Sequence, residues 1–517
     1  MRIQFGDCAL DVDRRELQRD NDRLVLEPLT LDLLQFLIAN RQRVVSRDEI
    51  IAHVWNGRCV SDATISSCMT AVRQAIGDCG RKQALIRTYS RRGYRFVGEV
   101  HDAGPDCGRP ADLAASRSLI SRRRPLVSVL AFAAPTSDLE PYADAIVEDM
   151  TTTLSQLGWL SVLARSVSIS AGAWAADISE LGTRLGVDYA VEGSVRRHDR
   201  HIRITVRLVS VASRTAIWSH RCDAATNKHD GPGDEVVGTI VSAIATRLEL
   251  AELSAIKRNP IERDEALQHY YCGLDHLYRW NQAGLNRALE QFQMAADIDG
   301  AFAPAYGMAA YCYVQRQSNG WIADREKETA DCMRLALRGA ELAPDDPLVL
   351  SRSAHALAAV TQDCETGSAL ISRALQISPS LCLSLYTGGW IKLFLGDVAG
   401  GAAHLEQALK TGFVDPISFK TYAALSYAYF FLGRYDEGAA IAERVSSARP
   451  TYQTGLRAAA ANHAMAGREV QARRLLARSL SLDPHQRLST LPDLLPFRTD
   501  FQMDRWSIAL RRAGMPD

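Results

Sequence analysis

The chain has 517 residues, enough for about three or four domains of ordinary size. Hydrophobic residues make up 47% and charged residues 23% of it, which is typical of a soluble globular protein. Lys plus Arg (60) equals Asp plus Glu (60), so net charge alone says nothing about partners.

The cysteines and the apolar stretches of the sequence indicate which class of protein this is. Eleven cysteines lie between Cys8 and Cys382 with no C-x-x-C pair and no Cys/His spacing of a zinc site, which favours a reducing cytosol over a disulfide framework. The longest apolar stretch, residues 125–135, is about half as long as a membrane-spanning helix. The N-terminus is broken by charge and glycine, unlike a signal peptide. We expect a cytoplasmic protein with no metal, no cofactor and no membrane partner.

The chain opens with a small predicted sheet. Short strand-like runs at residues 3–5, 8–12 and 24–26 are separated by turn-forming polar residues, which predicts an antiparallel arrangement. Thr30 then caps a first helix with one apolar face.

Two more helices follow. Ser46 and Glu49 have the spacing of a capping box and predict the start of the second helix. Ser61 or Asp62 caps the third helix. One apolar stripe of that helix is expected to face the core, and it consists of Ile65, Met69, Val72 and Ile76. The other face is small and polar and becomes basic toward its end, with Thr64, Ser67, Cys68, Thr70, Ala71, Arg73 and Gln74.

An arginine-rich hairpin comes next. Residues 84–88 and 94–97 have the pattern of two strands, with Arg91 and Arg92 at the tip between them. Two cations on a short turn are poorly explained by folding but suit contact with phosphates or with the minor groove. Seven basic residues between positions 73 and 95 face the single acid Asp78, although a charge cluster is usually just a solvated surface.

This order of elements predicts a sequence-specific DNA-binding domain over residues 1–100. A helix held across two others can enter a major groove while a hairpin grips the backbone beside it. Hydroxyls and amides can exchange hydrogen bonds with base edges. An ordinary amphipathic surface helix fits the polar face of the third helix equally well, and the hairpin is what favours DNA.

The same segment resembles the OmpR/PhoB-type winged-helix family over residues 3–98. The resemblance is carried by residues 28–31, 43–50, 54–55, 86–88 and 93–96. It implies that the third helix is the recognition helix and that residues 84–97 form the wing. The candidate DNA-binding residues are then Thr64, Ser67, Cys68, Thr70, Ala71, Arg73, Gln74, Arg87, Thr88, Arg91 and Arg92. No catalytic or metal-binding residue is expected.

Two departures from the family pattern bear on DNA contact. Ala71 stands where the family often has a basic residue, and Arg91 where it often has glycine. We therefore expect weaker base readout by the helix and stronger gripping by the wing. The family resemblance also implies phosphorelay signalling through a receiver domain ahead of the winged helix. Because this chain starts at the first strand, we expect no control by aspartyl phosphorylation.

A linker and a second domain follow. Residues 101–124 are rich in Asp, Gly, Ala, Ser and Pro, which predicts a flexible linker. Residues 125–252 alternate strands and helices and predict an α/β domain. Through residues 157–162, 185–189, 191–197 and 217–219, this domain resembles the one related to FlgO and the TolB N-terminal region, which often precedes helical repeats. Glu192 with Arg196 and Arg197 could bind a small anion, but opposite charges on the solvent face of a strand are the simpler explanation.

The remainder is repetitive. Prolines recur at intervals of 34 to 37 residues, at Pro344, Pro379, Pro416, Pro450 and Pro484. A helix–turn–helix of about 34 residues with Gly at the turn and a closing Pro is the tetratricopeptide pattern. We expect a repeat domain over residues 262–517, with a terminal cap helix and a groove that accepts a protein or peptide partner.

The predicted architecture is multidomain: an α+β winged helix, an α/β domain and an all-α tetratricopeptide-repeat solenoid. It resembles the HilA-like and CadC-like regulators, without a transmembrane helix. We interpret the chain as a bacterial DNA-binding transcriptional regulator, with double-stranded DNA and a protein or peptide in the repeat groove as partners. Contact with RNA polymerase and a homodimer on DNA are further candidate interactions.

Two alternatives stay open. One is a tetratricopeptide scaffold with a vestigial winged helix. Ala71 favours this alternative, because the family often has a basic residue at that position. The other is a regulatory subunit related to the repeat proteins that accompany nucleotide cyclases. We do not expect an enzyme, because the sequence has neither a metal-binding carboxylate pair in an extra domain nor a Gly-rich phosphate loop.

Overall fold

The computed structural model divides into two compact units, Met1–Leu113 and Ala114–Asp517. It describes residues 2–5, 8–11, 16–19, 22–24, 28–54, 60, 62–78, 83–89, 92–98, 101–103, 124–168, 178–199, 201–225, 234–258, 264–411 and 418–517. The expectations for Ser61, Arg91, Pro416 and linker residues 104–123 lie outside the described residues.

The first unit begins with a five-stranded antiparallel sheet in the order β4-β3-β2-β1-β7. Its strands are β1 Arg2–Phe5, β2 Cys8–Asp11, β3 Glu16–Arg19, β4 Asp22–Leu24 and β7 His101–Ala103. Strand β3 was not expected from the sequence. Residues 101–103 were expected in the linker, whereas the structure pairs them with β1 at the register Arg2↔Ala103.

Three helices and a hairpin complete this unit. The helices are α1 Pro28–Ala39, α2 Arg47–Val54 and α3 Asp62–Ala75, and the hairpin is β5 Ile86–Tyr89 with β6 Gly93–Phe96. Apolar residues from the sheet, the helices and the hairpin share one buried core. The capping box at Ser46 is confirmed, because Ser46 Oγ accepts from the Glu49 N–H at 3.2 Å while Glu49 Oε2 accepts from the Ser46 N–H at 2.8 Å.

The second unit starts with the expected α/β layer. A five-stranded sheet has the order β12-β11-β10-β8-β9, with β8 parallel to both neighbours and the remaining pairs antiparallel. Its strands are β8 Leu126–Val129, β9 Ser161–Val162, β10 Tyr189–His198, β11 His201–Ser210 and β12 Thr215–Ala225. Its helices are α4 Glu140–Ser155, α5 Ile178–Leu185 and α6 Asp234–Arg258.

In residues 264–411 and 418–517, twelve helices then form six helix pairs of the predicted repeat. They are α7 Glu265–Leu277, α8 Gln282–Ile298, α9 Ala303–Ser318, α10 Arg325–Leu342, α11 Pro347–Ala359, α12 Cys364–Ile377, α13 Cys382–Phe394, α14 Val398–Thr411, α15 Ser418–Phe431, α16 Tyr435–Ala448, α17 Gln453–Met465 and α18 Glu469–Leu482. A short helix, α19 Leu491–Leu494, and the expected cap helix, α20 Asp500–Arg512, follow.

The repeat array curves until its early pairs contact its late pairs. Lys420 Nζ in α15 donates to the Tyr311 hydroxyl in α9 at 2.7 Å. Arg457 Nη2 in α17 donates to the Ser318 carbonyl in α9 at 2.5 Å. The first helices α9, α15 and α17 therefore meet across the array.

Helix α6 packs against the array. The Cys382 N–H donates to Ser242 Oγ at 3.3 Å, and a Cβ on Gly238 would lie 2.5 Å from Ser380 Cβ. The α6 helix also runs past Leu250, where the sequence placed its end, and reaches Arg258; in this extension Glu252 and Leu253 are buried.

The two domains expected at residues 125–252 and 262–517 consequently share one buried core, which extends from Val127 to Met515. Phe497 of the C-terminal segment packs against Phe394 and Tyr427 of the array, with ring centroids 6.1 and 6.3 Å away. Residues of the chain itself thus occupy much of the groove that was expected to accept a peptide.

Candidate nucleic-acid interface

Helix α3 is divided into a buried and an exposed face. Ile65, Met69, Val72 and Ile76, the stripe expected to face the core, are at most 3% exposed. On the other face the side chains of Thr64, Ser67, Thr70 and Gln74 are exposed. The Thr70 hydroxyl donates to the Ser66 carbonyl at 2.8 Å, one turn earlier.

Two candidate residues of α3 lie nearer the core. Cys68 packs against the buried cluster, and its Sγ lies 3.8 Å from the hydroxyl of the buried Thr30 in α1. Ala71 is half-buried. Position 68 is three residues after Ile65 and four before Val72, so it lies on the same side of the helix as these two buried residues. This spacing in the sequence already indicates that Cys68 lies toward the core.

Arg73 links the helix to the hairpin. Its Nη2 donates to the Ile86 carbonyl at 2.9 Å and to the Thr88 hydroxyl at 2.8 Å. The structure therefore brings together two candidate DNA-binding residues, Arg73 and Thr88, but as partners of each other. Arg73 fixes where β5 starts relative to the end of α3.

Asp78 is a second link, which the sequence reasoning treated only as the lone acid of a basic segment. Its buried carboxylate accepts from the Ala84, Leu85 and Ile86 N–H groups at 3.0, 3.1 and 2.9 Å. The signal for it was present in the sequence: one acid directly after Gly77, in a segment otherwise rich in arginine. Three charge-assisted hydrogen bonds hold the entry to β5 against the helix end.

Gly77 lets the chain turn at that point. Its φ is +71°, a conformation that favours glycine. The Asp78 N–H then donates back to the Arg73 carbonyl at 2.8 Å, which ends α3 in a Schellman-type turn. The turn places the Asp78 carboxylate opposite the hairpin.

The hairpin is held on its other strand by the segment between α1 and α2. The Val45 N–H donates to the Tyr94 carbonyl at 2.8 Å, and the Tyr94 N–H donates to the Val45 carbonyl at 2.9 Å. Gly93 has φ +129°, and a Cβ there would lie 1.9 Å from the Val45 carbonyl oxygen. Only glycine fits this close approach of two backbones.

The hairpin carries a concentration of cations. Arg87 is exposed and pairs directly across the strands with Arg95, whose Nε donates to the Arg41 carbonyl at 3.0 Å. Arg92 is exposed at the turn, where its N–H donates to the Tyr89 carbonyl at 2.9 Å. Like charges directly across a sheet are destabilising. An anion near Arg87 would relieve that repulsion.

The N-terminus of α2 has a strongly perturbed carboxylate. The Ser46 N–H and the Arg43 guanidinium, 2.7 Å from Glu49 Oε1, lower the pKa of Glu49 to about 2. Glu49 therefore stays ionised at neutral pH and keeps α2 capped beneath α1.

Comparison with known families agrees with this geometry. Residues 21–96 match the family model described as "Transcriptional regulatory protein, C terminal". The chain has an OmpR/PhoB-type DNA-binding domain at its N-terminus. This confirms the resemblance expected from the sequence, and it places α3 and the hairpin within that DNA-binding domain.

Relatives extend beyond this domain. The Salmonella typhi protein named Transcriptional regulator HilA is 21% identical over 410 residues, which cover 79% of this chain and 69% of the relative. Putative adenylate cyclase 3 of Rhizobium meliloti (strain 1021) is 28% identical over 214 residues, 41% of this chain and 36% of that protein. The match thus takes in about a third of the length of the cyclase-named relative.

A solved structure of the DNA-binding domain of E. coli CadC is also similar. It is 27% identical and covers 19% of this chain and 94% of that structure, with a TM-score of 0.18.

The described part of the chain has no cluster of three or more His, Cys, Asp or Glu side chains that could hold a metal ion. None of its helices is both long enough and apolar enough to cross a membrane.

Proposed function

We propose that this chain is a DNA-binding transcriptional regulator in which α3 lies in the major groove and the β5–β6 hairpin contacts the adjacent backbone or minor groove. The observation that carries the proposal is the pair of links made by Arg73 and Asp78. They hold the exposed polar face of α3 and the exposed cations of the hairpin in a fixed relation. A winged helix needs that relation to contact base edges and phosphates together.

The residues of the interface take different roles in this proposal. Ser67, Thr70 and Gln74 are exposed and read base edges, with Thr64 beside them nearer the start of the helix. Arg87 and Arg92, which are exposed, contact phosphates or the minor groove, and so does Arg91, which lies outside the described residues. Arg73 and Thr88 act mainly by positioning the hairpin. Cys68 and Ala71 are small and half-buried, so their role is to let the backbone of α3 lie close to the DNA rather than to form hydrogen bonds with it.

Salt-dependent binding of the full chain to duplex DNA tests the proposal. Arg92→Ala should weaken binding to every duplex and reduce the slope of log affinity against log salt by about one. Gln74→Ala should instead change sequence preference, by about 1–3 kcal/mol at the affected base pair. Arg334→Ala, which removes an exposed arginine on α10, is the matched control. The proposal fails if the wild-type chain has no affinity for any genomic fragment even at low salt.

Protein interaction is the second part of the proposal. The repeats supply the surface, and RNA polymerase and a second copy of the chain on DNA are the candidate partners. Because α6 and the C-terminal segment fill the face of the first helices, a partner would bind the second helices, where Met294, Met333 and Leu337 are exposed. Analytical ultracentrifugation of the chain with operator DNA and with purified RNA polymerase distinguishes the two partners.

A further inference from the structure

A cavity of about 110 Å³ lies between α6 and the first helices of the repeat array. Its walls are mainly apolar, with leucine, methionine and aromatic side chains from α7, α9, α11 and α13. An apolar cavity of ~150 Å³ accepts a benzene molecule in a well-studied protein. The present cavity is of the same order but smaller, so a ligand built on a single aromatic ring is about the largest that it suits.

One polar feature of the cavity is an incompletely bonded arginine. Arg352 is 8% exposed, and its Nη2 lies 3.8 Å from Glu249 Oε1. Its Nη1 is fully buried and has no hydrogen-bond partner among the described residues. A buried guanidinium N–H without an acceptor is costly, and guanidinium groups bind carboxylates well.

A second buried cation lines the same cavity. Lys420 is 5% exposed, donates to the Tyr311 hydroxyl at 2.7 Å and lies 5.0 Å from the Trp280 ring centroid. The described lining thus has two cations, Arg352 and Lys420, against one carboxylate, Glu249. An anion complements this lining, whereas a cationic ligand would compete with Lys420 for the same aromatic rings.

We propose that this cavity binds a small aromatic carboxylate, with the ring against the apolar walls and the carboxylate beside the Arg352 guanidinium and Lys420 Nζ. The ligand would contact α6 of the α/β layer and the repeats at once, so it would stabilise the packing between them. This site is separate from the DNA interface. Failure of either proposal therefore leaves the other untouched.

The test uses the full chain and 4-fluorobenzoate, with 4-fluorobenzyl alcohol and 4-fluorobenzylamine as neutral and cationic analogues. Binding is measured by ¹⁹F line broadening and by the shift in Tm. The carboxylate should bind and raise Tm, while the alcohol binds about tenfold more weakly or not at all. Lys420→Met and the cavity-filling Thr246→Phe should remove binding. Lys410→Met, which changes an exposed lysine on the neighbouring α14, should not.

The analogues decide the matter even if a variant does not fold. The proposal is overturned if none of the three compounds binds wild-type protein, or if the alcohol or the amine binds as tightly as the carboxylate. It is also overturned if a folded Thr246→Phe protein, checked by circular dichroism, retains carboxylate binding, because the ligand would then occupy another site.

Discussion

Replacing Asp78 tests whether its carboxylate positions the hairpin, because two effects of the replacement on DNA affinity have opposite signs. Loss of the hydrogen bonds should weaken DNA binding, whereas loss of the negative charge should strengthen it. In Asp78→Ala, the buried Ile86 N–H loses its acceptor at a cost of about 1–3 kcal/mol. The Leu85 and Ala84 N–H groups can turn to water and lose about 0.5–1.5 kcal/mol each. The sum is about 2–6 kcal/mol of local stability at the start of β5. Asp78→Asn keeps one acceptor oxygen and should cost about half as much.

DNA affinity separates the two effects. Removing a negative charge about 10 Å from a phosphate is worth only about 0.4 kcal/mol of attraction in water, less than a twofold gain. Loss of the fixed hairpin outweighs it, so both variants should bind DNA more weakly despite their more positive charge. Asp48→Asn, an exposed acid on the first turn of α2, makes the same charge change without these contacts.

The assay combines fluorescence anisotropy with hydrogen exchange followed by mass spectrometry on the full chain. Peptides covering residues 83–89 should exchange faster in Asp78→Asn than in wild type or Asp48→Asn. If Asp78→Asn bound DNA at least as tightly as Asp48→Asn, with unchanged exchange at these residues, the positioning role of Asp78 would be refuted.

Gly93→Ala should destabilise the first unit by about 3 kcal/mol or more, because the added Cβ would clash with the Val45 carbonyl. Urea unfolding measures this loss. The control is Gly300→Ala, which should be near neutral because the space around its Cβ is open. Arg73→Lys should weaken DNA binding several-fold without changing the salt slope, and equal affinity would show that charge alone matters. Burial and the nearby Lys420 lower the pKa of His355 to about 3, below its ordinary 6.5, so the folded state resists protonation. The contribution of neutral His355 to the free energy of unfolding should be fully present above pH 6.5 and fall by roughly 1.4 kcal/mol per pH unit below it. The Tm of His355→Phe should therefore depend less on pH between 7 and 4.5 than the Tm of the wild-type protein.

The features that the sequence predicted correctly are those encoded by neighbours along the chain. The Ser46–Glu49 box, the stripe from Ile65 to Ile76 and the hairpin strands all depend on spacings of a few residues. Spacing indicates which face of a helix is buried, and it does so before any tertiary contact is known.

Contacts between distant elements were out of reach of such patterns. Arg73 had the residue type of a DNA contact, and only the position of β5 shows that its guanidinium is held by Ile86 and Thr88. The repeat pattern similarly predicted helix pairs but not their closure, because the Lys420–Tyr311 bond joins residues 109 positions apart. A groove cannot be judged open or filled until that curvature is known.

The filled groove changes what the repeats can do. Helix α6 belongs to the α/β layer through Tyr189, whose hydroxyl donates to the buried Glu252 at 2.8 Å, and to the repeats through Ser242 and Cys382. The Gly158 N–H adds a second connection by donating to the buried Asp346 at 2.7 Å. A peptide could enter the groove only by displacing α6 and exposing this polar network, which would cost more than a surface peptide usually gains. A small molecule in the remaining cavity would not displace α6, which is why we propose the interior for a ligand and the second helices for a protein partner.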